Sequence, residues 1–207
     1  MRIGLIADTH IPYRATEIPA SVLNALSGVD LILHAGDVDE PWALDVLGDL
    51  APVYAVRGNY HLLDRSSGGA SLPEAVEIDV AGFHIGLVHG HKLGLSTWFW
   101  KISILLQNMA GRWTSPAGDR ARARALVRQF PRADIIVFGH THRFYQAYWG
   151  KTLLVNPGAA LRTSYFNAPN IPSVAHLILE PGKPPQVIEI RVEIPSHPLP
   201  LSLGQRG

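Results

Sequence analysis

Short apolar runs that end in polar clusters recur along the chain and set its expected elements. Arg2 to Ala7 is such a run and stops at Asp8-Thr9-His10. Asp30 to His34 is a second, ending in Ala35-Gly36-Asp37, and Val53 to Val56 a third, ending in Arg57-Gly58-Asn59-Tyr60-His61. Runs this short, punctuated by glycine, predict buried strands rather than helices. Between them, Ser21 to Leu26 turns Val22, Leu23 and Leu26 inward before Gly28, and Pro41 to Leu50 opens on a proline with Pro52 beyond it. Both stretches predict helices. Glu74 to Val80 and Phe83 to Val88 predict a hairpin about Ala81-Gly82, ending in His89-Gly90-His91. Asp119 to Phe130 predicts a helix with Arg120, Arg124 and Arg128 on one face, and Asp134 to Phe138 a strand ending in Gly139-His140-Thr141-His142. Strands are expected at Phe144 to Trp149 and Leu153 to Val155, followed by a loop at Asn156-Pro157-Gly158. A last pair, Val174 to Glu180 and Gln186 to Ile194, faces across Pro181-Gly182-Lys183.

Residues 92 to 118 break this rhythm. Trp98, Ile102, Leu105, Leu106 and Met109 share one helical face, while Phe99, Trp100 and Ile104 spread apolar surface around the other side. A helix of this kind is expected to be buried on more than one side. Beyond Pro195 the chain has little reason to be ordered. The expected organisation is one domain over 1–194, with a helical, aromatic-rich insertion at about 92–118 and a disordered tail at 195–207.

Composition narrows the chemistry. The 207 residues include no cysteine and ten histidines, so a metal would be held by His, Asp, Glu or Asn and a thiol nucleophile is excluded. A formal net charge of +1, from 18 basic and 17 acidic side chains, gives no general pull toward nucleic acid or a membrane surface. No apolar run approaches the roughly 20 residues of a membrane span. No charged-then-apolar leader precedes the first strand, which reads as a cytoplasmic protein.

The polar residues at the strand ends are Asp8, His10, Asp37, Asn59, His89, His140 and His142. Residues two apart in extended chain point the same way, so Asp8 with His10 and His140 with His142 can each reach a common centre. Open α/β sheets present ligands at the C-terminal ends of their strands. Seven oxygen and imidazole donors exceed what one ion takes while leaving room for substrate, but suit two ions sharing a carboxylate. Two cations about 3.5–4 Å apart can bridge a hydroxide, lower its pKa and clamp phosphoryl oxygens for in-line attack.

In this order, D-T-H, G-D, G-N, H-G and G-H-T-H resemble the calcineurin-like metallophosphoesterase superfamily, in particular its small single-domain branch of bacterial and archaeal phosphodiesterases. The resemblance runs from residue 1 to about 193. It implies an α/β fold of two mixed β-sheets packed as a sandwich and flanked by helices, a four-layer arrangement. By motif position, Asp8, His10 and His142 would bind a first metal and Asn59, His89 and His140 a second, with Asp37 bridging. Manganese is the activator the resemblance implies, and iron, nickel or zinc would also suit these donors. The implied reaction is hydrolysis of a small phosphoester, a diester before a monoester, with a phosphomonoesterase or nucleotidase as the alternative. The chain also resembles a vacuolar protein-sorting subunit of the retromer coat, which keeps the fold as a scaffold for protein contacts.

One motif departs from the family pattern. Many relatives follow G-N with a histidine that protonates the leaving oxygen; Tyr60 stands there, with His61 next. Leaving-group protonation is therefore expected to be weak or to come from Tyr60 or His61, of which an imidazole near pKa 6.5 suits neutral pH and a phenol near 10 does not. His34 and His91 flank ligands and either orient them or are simply satisfied, partly buried histidines. Asn156-Pro157-Gly158 resembles a family loop near the metals, and Arg162 either holds a substrate phosphate or is a surface arginine. The aromatic segment 98–113 either packs on its own domain or serves as a lid or a homo-oligomer interface.

Overall fold

The computed structural model describes residues 1–12, 14–59, 71–91, 116–162 and 170–194, with residues 116–118 described by their backbone. The expected insertion up to residue 115, the leaving-group candidates Tyr60 and His61, and the tail 195–207 lie outside the described residues.

The apolar runs are strands. In chain order the elements are β1 (Arg2–Ile6), α1 (Ala20–Leu26), β2 (Leu31–His34), α2 (Trp42–Gly48), β3 (Val53–Ala55), β4 (Ala75–Val80), β5 (Phe83–Val88), α3 (Pro116–Gln129), β6 (Ile135–Phe138), β7 (Phe144–Trp149), β8 (Thr152–Pro157), β9 (Ser173–Ile178) and β10 (Gln186–Arg191). They form two five-stranded sheets, ordered β10-β9-β1-β2-β3 and β4-β5-β6-β8-β7. β1, β2 and β3 run parallel, as do β5, β6 and β8, while β9, β10, β4 and β7 join antiparallel. Both sheets are therefore mixed.

Alternation along the strands explains the layers. Ile3, Leu5, Leu31, Leu33, Ile85, Leu87, Ile135, Val137, Leu153, Val155, Ala175 and Leu177 point between the sheets and form the central core. The intervening positions are apolar too. Ile6, Ile32 and Val174 pack with Val22 and Leu26 of α1 and with Ala43 and Leu47 of α2. Val88, Ile136, Phe138 and Leu154 pack with Ala123 and Leu126 of α3. A strand covered on both faces reads as a continuous apolar run, which is why the inner strands stood out in the sequence. The outer strands β4 and β7 have one face more open and alternate.

Most observed elements start or stop within a few residues of their expected limits. β8 differs in kind, because it continues through Asn156 and Pro157, where a loop was expected. The hairpin with β7 carries it on, Tyr145 facing Asn156 and Phe144 facing Pro157, after its pairing with β6 has ended at Val155. Among the described residues no helix is long and apolar enough to cross a membrane.

Candidate metal centre

The parallel strands of both sheets end at one rim. Asp8, His10 and Asp37 leave β1 and β2, and the backbone ties these exits together: Asp8 N donates to Gly36 O at 3.0 Å and His10 N to Asp37 O at 3.0 Å. From the second sheet, His140 N donates to both carboxylate oxygens of Asp8, at 3.3 and 3.2 Å. Asp8, His10, Asp37, His140 and His142 all adopt left-handed backbone, with φ of 56°, 49°, 57°, 71° and 55°. Each such residue costs about 1–2 kcal/mol relative to ordinary backbone. Strain gathered at one place signals a site that the rest of the fold holds in shape.

The side chains converge in two groups that share Asp37. Asp8, His10, Asp37 and His142 each offer one ligand atom, and these atoms all lie within 4.8 Å of one another. In this group His142 Nε2 is 3.3 Å from Asp8 Oδ1 and His10 Nε2 is 3.4 Å from Asp37 Oδ2. On the other side, His89 Nε2 is 3.3 Å from the same Asp37 oxygen. Asn59 Oδ1 then accepts from His89 Nε2 at 2.9 Å and from His140 Nδ1 at 2.8 Å. Gly58 makes room for this arrangement, since a Cβ there would run into the Asp37 carboxylate. Buried carboxylates, imidazoles and an amide oxygen form a donor set suited to divalent transition metals, and they fit such ions here.

Burial and charge compete in the cluster. Burial would raise the Asp8 carboxyl, but the charge and hydrogen bond of His142, together with His89, hold it below the usual carboxylate value. Burial opposes Asp37 in the same way, and His89, by charge and hydrogen bond, with His10 and His140, brings it well below. For His89, burial penalises the imidazolium, yet Asp37, Asp8 and the Ala35 carbonyl raise its pKa to about 9. Burial and the neighbouring charge of His89 push His140 down to about 3. The metal-free site thus keeps a proton on His89, where a cation would replace it. His89 Nδ1 donates to Ala35 O at 2.8 Å, which leaves Nε2 as the nitrogen turned toward Asp37 and Asn59.

All seven strand-end residues named from the sequence meet here. His91 is buried beside them, its ring 5.5 Å from that of His89 and 6.4 Å from that of His140. His34 lies one step behind, touching Thr9 rather than a candidate ligand's side chain. Arg162 is exposed and lies five residues beyond the end of β8 at Pro157. Sequence reasoning missed Thr9, the side-chain role of Asn156, and Asp39. Asn156 Nδ2 donates to Gly139 O at 2.6 Å and Thr141 Oγ1 at 3.1 Å, bracing the loop that carries His140 and His142. Asp39, two residues after Asp37, is fully buried against His10. Its signal was the second acid in G-D-V-D.

Residues 1–178 match the calcineurin-like phosphoesterase superfamily domain. A probable metallophosphoesterase of Methanothermobacter thermautotrophicus is 36% identical over 159 residues, which is 77% of this chain and 77% of that protein. Wild-type Vps29 of Entamoeba histolytica, solved in complex with Zn2+, aligns with a TM-score of 0.64 and 25% identity over 92% of this chain and 99% of its own. A structure described as that of a novel archaeal phosphodiesterase aligns with a TM-score of 0.54 and 19% identity, over 92% and 100%, and shares the fold.

Proposed function

The chain belongs to the calcineurin-like phosphoesterase superfamily, and from that premise we propose that it hydrolyses small phosphodiesters with the help of two divalent cations. The observation that carries this reading is the shared carboxylate: Asp37 Oδ2 lies 3.4 Å from His10 Nε2 on one side and 3.3 Å from His89 Nε2 on the other. Asp8, His10 and His142 would hold one ion and Asn59, His89 and His140 the other, with Asp37 between them. Manganese is the first expectation, with iron, nickel or zinc compatible. Ions bound there would supply positive charge for the phosphoryl oxygens and make water a nucleophile at neutral pH.

The chain's own residues set the geometry. The backbone N–H of His140 on Asp8 locks the loop of one sheet onto a carboxylate of the other, and Asn156 holds that loop from behind. Tyr60 and His61 follow Asn59 in the sequence and are the proposed donors of a proton to the leaving oxygen, His61 having the better ordinary pKa. A weak acid in that role favours esters whose leaving group needs little protonation, hence diesters with good leaving groups before monoesters. Arg162 is the proposed contact for a non-bridging phosphate oxygen. We treat 1–194 as one catalytic domain working in the cytoplasm. Segment 98–113 is the proposed place for contact with a second copy, and the solution mass on deleting it is the check.

A non-catalytic scaffold is the rival reading, and its support is the likeness of fold to Vps29. Contact with a partner gives no physical reason to bury Asp8, Asp37 and His89 together, with Asp8 and Asp37 on left-handed backbone. The deciding experiment is hydrolysis of bis(p-nitrophenyl) phosphate by metal-stripped protein before and after adding manganese, with p-nitrophenyl phosphate in parallel. Manganese-dependent turnover of the diester above that of the monoester is expected. Asp37→Asn should reduce kcat by at least about 100-fold, since the shared ligand underlies several kcal/mol of charge stabilisation. Absence of turnover with manganese, nickel, iron and zinc alike would sink the enzymatic reading.

A further inference from the structure

We infer that Asp39 is a positioning residue whose carboxylate fixes the ring of His10 and the nitrogen on which it carries its proton. This rests on the metal-centre reading above and adds to it a residue that none of the family motifs contributed. Asp39 is 0% exposed, and its ion-pair contact is His10, with Oδ1 3.5 Å from Nδ1. Neither of its oxygens has a hydrogen-bond partner among the described residues.

A buried carboxylate without a donor is costly, by several kcal/mol if it stays ionised. A purely structural role would relieve that cost locally, most simply by capping the helix that begins just beyond it. No such cap exists. The N-cap of α2 is Pro41, which has no N–H, and the helix start receives no side-chain hydrogen bond. The first N–H groups there go to carbonyls instead, Ala43 N to Glu40 O and Leu44 N to Pro41 O.

Among the described residues, the donor in reach is Nδ1–H of His10. Placing the proton on Nδ1 leaves Nε2 unprotonated, and Nε2 is the atom that faces Asp37 Oδ2 at 3.4 Å. A carboxylate on one ring nitrogen and a cation on the other is how proteins commonly orient a ligating histidine. The arrangement is reinforced through the backbone, since His10 N donates to Asp37 O at 3.0 Å. Asp37 and Asp39 thus address opposite edges of one imidazole from a single turn of chain, one on the metal side and one behind it. Asp39 is not itself among the four residues whose ligand atoms cluster.

The test uses the full chain and three readouts. In the metal-free wild-type protein, nitrogen-resolved NMR of the His10 ring should show the Nδ1–H form, whereas an unconstrained histidine favours Nε2–H. In Asp39→Ala the ring should shift toward Nε2–H, and the manganese Kd measured by calorimetry should weaken by about 10–100-fold. Asp39→Asn, whose amide oxygen can still accept from Nδ1–H, should recover part of that loss. The metal-free Tm of both variants should hold, because among the described residues Asp39 has no hydrogen bond to the surrounding fold and faces only the His10 ring. A structural carboxylate would do the reverse, lowering Tm and leaving manganese affinity within twofold. That result, or Nε2–H on His10 in the wild type, overturns the inference. If Asp39→Ala does not fold, the wild-type ring and Asp39→Asn still decide. If the wild type binds none of manganese, iron, nickel or zinc, the proposed function falls, and the His10 proton position still judges Asp39.

Discussion

At the scale of single residues, His34 shows how a buried histidine behind the candidate ligands can be read from its hydrogen bonds. Gly36 N donates to its Nδ1 at 3.3 Å, and a backbone N–H can only donate, so the ring proton sits on Nε2. Nε2 in turn donates to Thr9 Oγ1 at 3.2 Å, and Thr9 passes its own proton to Asp37 O at 3.3 Å. The chain of bonds runs from beneath the rim to the backbone of the shared carboxylate and needs a neutral ring. Burial, opposed by the charge of Asp8, lowers the pKa of His34 to about 4. The unfolded imidazole protonates near 6.5, so the stability linked to His34 is present above about pH 6.5 and lost as pH falls through about 4. That gap corresponds to roughly 3 kcal/mol. Urea denaturation of His34→Gln at several pH values in this window should therefore give a shallower acid dependence than the wild type. An unchanged slope would mean the ring is already charged in the folded protein. Nothing in D-L-I-L-H foretold the partners of His34, which are 25 residues upstream in Thr9 and two downstream in Gly36.

At the scale of elements, the candidate ligands were legible because each follows an apolar run, and such a run can be recognised when both of its faces are buried. The D-T-H, G-D, G-N, H-G and G-H-T-H clusters mark where β1, β2, β3, β5 and β6 stop. The continuation of β8 was not legible, because local punctuation at Asn156-Pro157-Gly158 reads as a turn and only pairing with β7 shows it to be strand. With that strand comes the brace on the ligand loop, a contact across 17 residues that no local pattern reports. Asn156→Ala removes both bonds from Nδ2 and the acceptor used by Gly158 N at 2.9 Å. It should cost about 2–3 kcal/mol of stability, the usual penalty for leaving such buried groups unpaired. It should also weaken manganese binding, because His140 and His142 lose their support. Gly86→Ala is the matching control. Its Cβ would stand 2.8 Å from the Phe130 ring, on the outer face of the second sheet. That overpacking should cost a similar 1–3 kcal/mol but leave manganese affinity in place. Equal loss of affinity in both variants would show that the site responds to stability alone.

At the scale of the whole molecule, the two sheets meet at the rim through opposite charges, and a cation there would work as a clasp between them. The first sheet contributes Asp8, His10, Asp37 and Asn59, and the second His89, His140 and His142. The sandwich itself was expected from the motifs, but the strand order was not, since β9 from near the end of the chain inserts between β1 and β10 through long-range pairing. Without metal, His89 meets Asp37 across the rim at 3.3 Å, and this partnership, with Asp8 and the Ala35 carbonyl, raises His89 to about 9. A raised histidine stabilises the folded state fully below its unfolded value near 6.5, and the contribution is lost as pH climbs through about 9. A cation on Nε2 must displace the same proton, so its affinity should rise over that window while the metal-free fold weakens. The Tm of metal-free protein should therefore fall from pH 6.5 to 8.5, and the increment in Tm at a fixed manganese concentration should grow. At 100 times Kd the ion adds about 2.7 kcal/mol, enough for calorimetry to resolve. His89→Gln should flatten both trends. An increment that stays constant with pH in the wild type would place the displaced proton elsewhere and leave His89 neutral in the folded chain.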